Sequence, residues 1–189
     1  MAEVSVSRLT PELLDDFLRF FDAEAFTDNP EWAGCYCYFY LYPGTWEEWS
    51  ARRGEENRAA VSELIRAGRM HGYLAYEDGR VVGWCHAARR SECPNVERLV
   101  PPAEDPERIG AVVCFVVRPE NRRKGIARRL LEAACAGFRA DGLAVAEAYP
   151  AKDAATEAEH YHGPLDLYLA AGFTVTGETE RFHLVRRKL

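Results

Sequence analysis

Long apolar runs are missing from this sequence. None of its 189 residues belong to a stretch approaching the roughly 20 apolar positions that a membrane-spanning helix needs, so a membrane is not expected among its partners. The opening MAEVSVSRLT has no apolar core of the kind that marks a secretory signal, and a cytoplasmic location is the expectation. Positive charge is in deficit, with 24 Lys and Arg against 30 Asp and Glu and a net charge of −6. Bulk charge therefore gives no support to nucleic-acid binding. Low-complexity tracts and internal repeats are also absent, which argues against a linker chain or a repeat array. Six cysteines are too few for the dense disulfide framework of a small secreted domain. Cys114 lies in an apolar run and Cys135 in a helical pattern, so both read as small buried hydrophobes. Cys35, Cys37, Cys85 and Cys93, with His86, raise the question of zinc. No second close pair accompanies Cys35-Tyr-Cys37, so no metal is expected.

What is present is an ordinary globular balance, 48% hydrophobic and 29% charged, at a length suited to one domain over residues 1–189. EVSVSRL alternates and predicts a first strand. Thr10-Pro11 then gives an N-cap and a proline at the first helical position. Leu13, Leu14, Phe17, Leu18 and Phe21 follow at helical spacing. Thr45 and Glu48 match a capping box, and EENRAAVSELIRAG predicts a helix closed at Gly68. GYLAYEDGRVVGWCHAA reads as two strands around an Asp78-Gly79 hairpin turn. Residues 91–110 read as a long loop, a feature that often accompanies function. AVVCFVV at 111–117 is apolar throughout, as in a strand buried on both faces. A helical pattern from Ile126 to Phe138 and a strand at 143–149 complete a βαβ unit with a right-handed crossover. GPLDLYLAAGF predicts a last helix stopped at Gly172, and FTVTGETERFHLVRRKL supplies one or two closing strands.

Residues 118–131, RPENRRKGIARRLL, concentrate cations where that central helix begins. The first N–H groups of a helix lack intrahelical partners, and the dipole adds positive potential at the same end. Gly125 permits close backbone approach. With Arg122, Arg123 and Lys124, these parts make a site for a diphosphate; the plainer alternative is a solvated basic turn. Neither the P-loop pattern nor the three-glycine dinucleotide fingerprint is present. Instead the residues run Arg122-x-x-Gly125-x-Ala127 after Val117-x-Pro119, and Tyr168-Leu-Ala-Ala-Gly172-Phe173 follows downstream. The first resembles the acyl-CoA signature of the GNAT superfamily of N-acetyltransferases. The second resembles that family's tyrosine four residues before Gly-Phe. The two motifs occur in order with a βαβ unit between them, and the resemblance covers nearly the whole chain.

That resemblance implies an α/β (α+β) GNAT fold, with a mixed central sheet of about six to seven strands flanked by helices. Two splayed central strands would form a cleft for acetyl-CoA, the co-substrate. It implies that Phe115, Val116 and Val117 offer backbone partners to the pantetheine arm, as in strand addition. The N–H groups of Arg123, Lys124, Gly125, Ile126, Ala127 and Arg128 would wrap the diphosphate. A backbone N–H near Val117 would receive the thioester oxyanion. Tyr168 matches the family's general acid. A phenol near ~10 giving its proton fully to a thiolate near ~8.5 is uphill by roughly 2 kcal/mol. Its alternative role is that of a packing residue in the core.

The base is open. Relatives often carry a carboxylate on the strand before the signature, and GAVVCFVV has none. Glu147 on the next strand is the first candidate, with His86, His160 and His162 behind it. Tyr161 stands where relatives often have an asparagine near the CoA arm. Eight of the 22 aromatics lie between Trp32 and Trp49. They would either hold an amine acceptor or pack a lid onto the core. The leading expectation is an enzyme that acetylates a primary amine of a small molecule or peptide. The alternatives are a non-catalytic acyl-CoA sensor of the same fold and an interaction protein using the 32–49 surface. A homodimer is left open.

Overall fold

The computed structural model describes residues 3–156 and 158–189. The alternating start forms β1 (Val4–Arg8). A 3₁₀ turn at Pro11–Leu13 leads into α1 (Leu14–Ala23). Thr10 has the extended backbone of an N-cap, but its side chain caps no N–H; Pro11 lacks an N–H to satisfy, which lightens the need. The capping box does form. Glu48 N–H donates to Thr45 Oγ1 at 3.2 Å and Thr45 N–H to Glu48 Oε2 at 2.7 Å, at the start of α2 (Trp46–Ala51). Next comes α3 (Gly54–Arg66), left through Gly68 at φ +65°. Asp78 and Gly79 both take positive φ, 50° and 73°, as a two-residue hairpin turn demands, and join β2 (Gly72–Glu77) to β3 (Arg80–Arg89). The loop after β3 carries short 3₁₀ turns at Arg90–Glu92, Pro94–Arg98 and Pro106–Arg108. Then follow β4 (Ile109–Val117), α4 (Ile126–Ala140), β5 (Val145–Ala148), α5 (Leu165–Ala170), β6 (Thr174–Glu178) and β7 (His183–Lys188). Among the described residues no helix is long and apolar enough to cross a membrane.

The seven strands form one mixed sheet in the order β1-β2-β3-β4-β5-β7-β6. Among the described residues only β4 and β5 pair in parallel, as the βαβ connection through α4 requires. α1, α3 and the aromatic segment cover one face, and α4 and α5 cover the other. β4 lies at the centre and faces apolar neighbours on both sides, which is why it has no alternation. Each fully buried Val, Leu or Phe of this kind contributes roughly 1.5–3 kcal/mol relative to exposure.

Two local departures shape the site. The register of β4 on β3 shifts between His86, opposite Cys114, and Ala87, opposite Val112. Val113 is the extra residue of a β-bulge. Accordingly Val113 and Cys114, though adjacent, both point into the first core, while Val112 and Phe115 point into the second. At the same place β4 and β5 part company. Their pairing stops at Val112 and Ala148, because the chain after β5 stays with the far side of the sheet. There the His183 N–H donates to the Pro150 carbonyl at 2.9 Å, and Ala151 bridges Phe182. From the bulge onward, among the described residues, β4 is paired with a strand on one edge only.

The wall facing that open edge is pinned by Asn57, on α3. This buried side chain donates to the Gly34 carbonyl at 2.8 Å and accepts from Arg52 Nε at 2.7 Å. It ties α3 to the 3₁₀ turn Pro30–Cys35, where Gly34 and Gly54 meet so closely that a Cβ on Gly54 would lie 2.9 Å from Gly34 Cα. Asn57→Ala should cost about 1–3 kcal/mol, the usual price of stranding a buried acceptor. The check is urea unfolding, with a lower midpoint at an unchanged slope. An unchanged midpoint would mean that the wall is held by ring packing alone.

Candidate active site

Beyond the bulge lies a cavity of about 1000 Å³. Cys114, Phe115, Val116 and Val117 of β4 form one side. The turn into α4 closes one end. The aromatic segment forms the opposite wall with Trp32, Phe39, Tyr40, Trp46 and Trp49, and His160, Tyr161 and Gly163 complete the rim. Of the ten residues expected to hold the cofactor, nine line this cavity, and Lys124, which is exposed, does not. The aromatic segment both packs into the core and lines the cavity. Tyr36, Cys37 and Tyr40 are buried in the core, while Trp32, Phe39 and Trp49 border the cavity and Trp46, 61% exposed, stands at its mouth.

The strand edge is set by backbone alternation. Arg118 N–H donates to Val82 C=O at 3.0 Å. In an antiparallel pair such residues alternate with ones whose groups point away. Val116, opposite Trp84, thus bonds toward β3, and Val117 and Phe115 turn their N–H and C=O to the open side. Of the three expected backbone partners, Phe115 and Val117 face the cavity and Val116 does not.

At the α4 end the chain passes through positive φ twice, at Arg123 (60°) and at Gly125 (80°), the N-cap. A Cβ on Gly125 would meet nothing within 4 Å. Glycine is therefore required there by the left-handed backbone, and the space in front of the helix stays open. The first intrahelical bond runs from Arg129 N–H to Gly125 C=O, which leaves the N–H groups of Ile126, Ala127 and Arg128 without helical acceptors. Arg122 departs from the role expected of it. Its Nη1 and Nη2 bind Asp28 at 2.5 and 3.2 Å, and its Nε donates to Val117 C=O at 3.2 Å. Its guanidinium is a brace between β4, the turn and the segment before Trp32.

Both proton-handling residues expected from the sequence stand off the cavity. Glu147 is fully buried on β5. Its Oε1 accepts from Arg90 Nη1 and from Tyr149 Oη, the latter at 2.6 Å, and its Oε2 accepts from Arg186 Nε at 2.6 Å. A carboxylate shared by two guanidiniums and a phenol is a structural anchor, and it is walled off from any substrate. Tyr168 is fully buried on α5 and donates to the His162 carbonyl at 2.5 Å, beneath Gly163. Burial raises its pKa well above the phenol value, and Tyr168 does not line the cavity.

Of the histidines, His86 is fully buried on β3 with neither ring nitrogen partnered, His160 lines the rim, and His162 lies buried against β4. Burial also pushes the Cys37 thiol well up, so it stays protonated. Among the described residues no three His, Cys, Asp or Glu side chains gather as a metal site requires.

The GNAT acetyltransferase family model matches residues 38–163. No curated protein matches the chain. Solved structures share the fold at low identity. The PaiA N-acetyltransferase of Thermoplasma acidophilum in complex with coenzyme A is 14% identical, with a TM-score of 0.60 and 99% of each chain covered. The GNAT domain of S. lividans PAT is 16% identical, with a TM-score of 0.60, covering 98% of this chain and 90% of that one. YncA of Salmonella typhimurium with acetyl-CoA is 14% identical, with a TM-score of 0.54, covering 98% and 94%.

The Arg122–Asp28 brace has a pH signature. Arg122 holds the Asp28 carboxyl below its ordinary range. A depressed carboxylate contributes stability that is full above its unfolded pKa of ~3.9 and lost as pH falls through the native value. Arg122→Gln should unfold at a lower urea concentration than the parent at pH 6, and the two midpoints should converge below about pH 4. The pair is partly exposed, so a gap under about 1 kcal/mol is expected. A gap that persists unchanged to pH 3 would assign the effect to packing.

Proposed function

Because the chain belongs to the GNAT family of acetyltransferases, we propose that it moves an acetyl group from acetyl-CoA to a primary amine of a small molecule or peptide, by direct attack of the amine on the thioester. The observation that carries this reading is a strand edge that ends its pairing at Val112 and runs, within one cavity, to the unpartnered N–H groups at the start of α4. An extended amide-bearing arm suits the edge at Phe115 and Val117. A diphosphate suits the N–H groups of Ile126, Ala127 and Arg128, with Arg123, Lys124 and Arg128 adding positive charge around them. The Val117 N–H is our candidate donor to the oxyanion. The complexes of PaiA with coenzyme A and of YncA with acetyl-CoA support the choice of donor. The acceptor would enter along Trp32, Phe39, Trp46 and Trp49, a wall suited to an apolar or cationic amine.

A non-catalytic acyl-CoA sensor is the second reading, and the seclusion of Glu147 and Tyr168 favours it. Release of free thiol from acetyl-CoA across a panel of amines separates the two. Release that depends on the amine establishes transfer, whereas CoA binding with no release for any amine establishes the sensor.

Two variants test the parts. Gly125→Asp sets a carboxylate before the α4 N–H groups and strains a left-handed residue. Calorimetry should show CoA affinity reduced at least tenfold in a folded variant, and unchanged affinity would remove the diphosphate from this turn. Tyr168→Phe keeps the ring but strands the His162 carbonyl. It should lower stability by about 1–3 kcal/mol while leaving kcat near the parent's. A hundredfold fall in kcat with CoA affinity intact would restore Tyr168 as the acid.

A further inference from the structure

Amide formation from an amine and a thioester takes one proton from nitrogen and gives one to sulfur. Glu147 and Tyr168 are both sealed off from the cavity where this must happen. Building on the transferase reading above, we propose that Tyr40 is the catalytic residue that relays this proton, and that His162 is the positioning residue that orients the Tyr40 hydroxyl.

Tyr40 lines the cavity across from Cys114–Val117 and is 3% exposed. Its hydroxyl lies 3.1 Å from His162 Nε2. His162 belongs to the 3₁₀ turn Glu159–His162, which packs against β4. It is 1% exposed. Burial lowers its pKa to about 3, so the ring is neutral. Its Nδ1 has no hydrogen-bond partner among the described residues, so Nε2 is the atom through which the neutral ring holds Tyr40. The Tyr40 hydroxyl so held has a proton to give and lone pairs to receive one. Tyr161 lines the same cavity, its ring tilted against that of His162 at 4.3 Å and edge-on at 5.6 Å to Trp32. No carboxylate takes part.

The balance is complete without any further reactant. As the amine nitrogen bonds the carbonyl carbon it becomes cationic. It gives one proton to the Tyr40 oxygen, and as the C–S bond breaks the proton that Tyr40 already carried passes to the sulfur, so His162 holds the hydroxyl and stays neutral throughout. Nitrogen has lost one proton, sulfur has gained one, and Tyr40 and His162 end as they began.

Steady-state kinetics and calorimetry test this in the full-length protein, with acetyl-CoA and whichever amine the panel identifies. Tyr40→Phe should lower kcat on the order of 10²–10³-fold and leave CoA affinity within about twofold. His162→Asn, which acts only through Tyr40, should lower kcat by about tenfold, and in the double variant it should add nothing to the loss from Tyr40→Phe. Two independent, multiplying losses would give His162 a role of its own and overturn the positioning assignment. A folded Tyr40→Phe variant with the parent's kcat would overturn the relay. Should that variant not fold, 3,5-difluorotyrosine at position 40 keeps ring and hydroxyl while acidifying the phenol. A kcat indifferent to this change overturns the relay equally. A parent that binds CoA but acetylates no amine overturns the transferase reading and the relay with it. An active parent with an indifferent Tyr40 overturns the relay alone.

Discussion

A strand buried among apolar side chains cannot leave its backbone unpartnered without cost, and this constraint organises the molecule. β4 is apolar on both faces and paired on both edges up to Val112. One bulged residue later it keeps β3 and loses β5. The N–H and C=O groups of Phe115 and Val117 then face a cavity in place of a neighbouring strand. Backbone groups in such a setting are nearly always satisfied by something. Here the Arg122 side chain answers the Val117 carbonyl, and the geometry suits an extended amide-bearing ligand for the rest. The bulge also brings Val113 and Cys114 onto the same side, and so aligns the strand with the turn that carries His162.

The architecture was largely legible because it follows from periodicity. An unbroken apolar run, a helical stripe and a second strand specified the βαβ core, and Asp78-Gly79 specified a hairpin that forms with both residues at positive φ. Gly125 was legible as a place of close backbone approach, and its left-handed conformation at the N-cap emerged only in the structure. Proton-handling side chains were not legible, because their roles depend on direction and on distant partners. Glu147 alternates correctly along β5, yet its carboxylate is claimed by Arg90 and Arg186, 57 and 39 residues away. Tyr168 holds its motif position, but its hydroxyl is claimed by the carbonyl six residues before it. Arg122 was read as one of the cations for a diphosphate, and the Asp28 that engages it lies 94 residues upstream. No local pattern announces any of these pairs. The nearest signal was compositional, since the crowding of aromatics at 32–49 marked the segment that supplies Tyr40.

That segment shows how little regular structure a wall needs. From Pro30 to Tyr42 it is built of 3₁₀ turns and a left-handed step at Tyr36 and Cys37. Its order comes from rings in mutual contact, such as Phe39 with Tyr40, Trp46 and Trp49. The Asp28 brace secures it before this stretch and the Asn57 clamp after it. Aromatic packing of this kind combines large buried area with few rotatable bonds, which gives a stiff surface without a hydrogen-bonded ladder.

The placement of those two fastenings separates the cavity's two sides along the chain. One side is written in β4 and the α4 turn, within residues 109–128, where backbone geometry matters more than side-chain identity. The other is written in side chains of residues 26–52, which contribute no strand to the sheet. Trp46 and Trp49 belong to no strand pairing. Apart from Asp28 and Tyr40, the side chains of this wall can therefore change without touching the sheet, so the lining of the cavity and its backbone frame are separable.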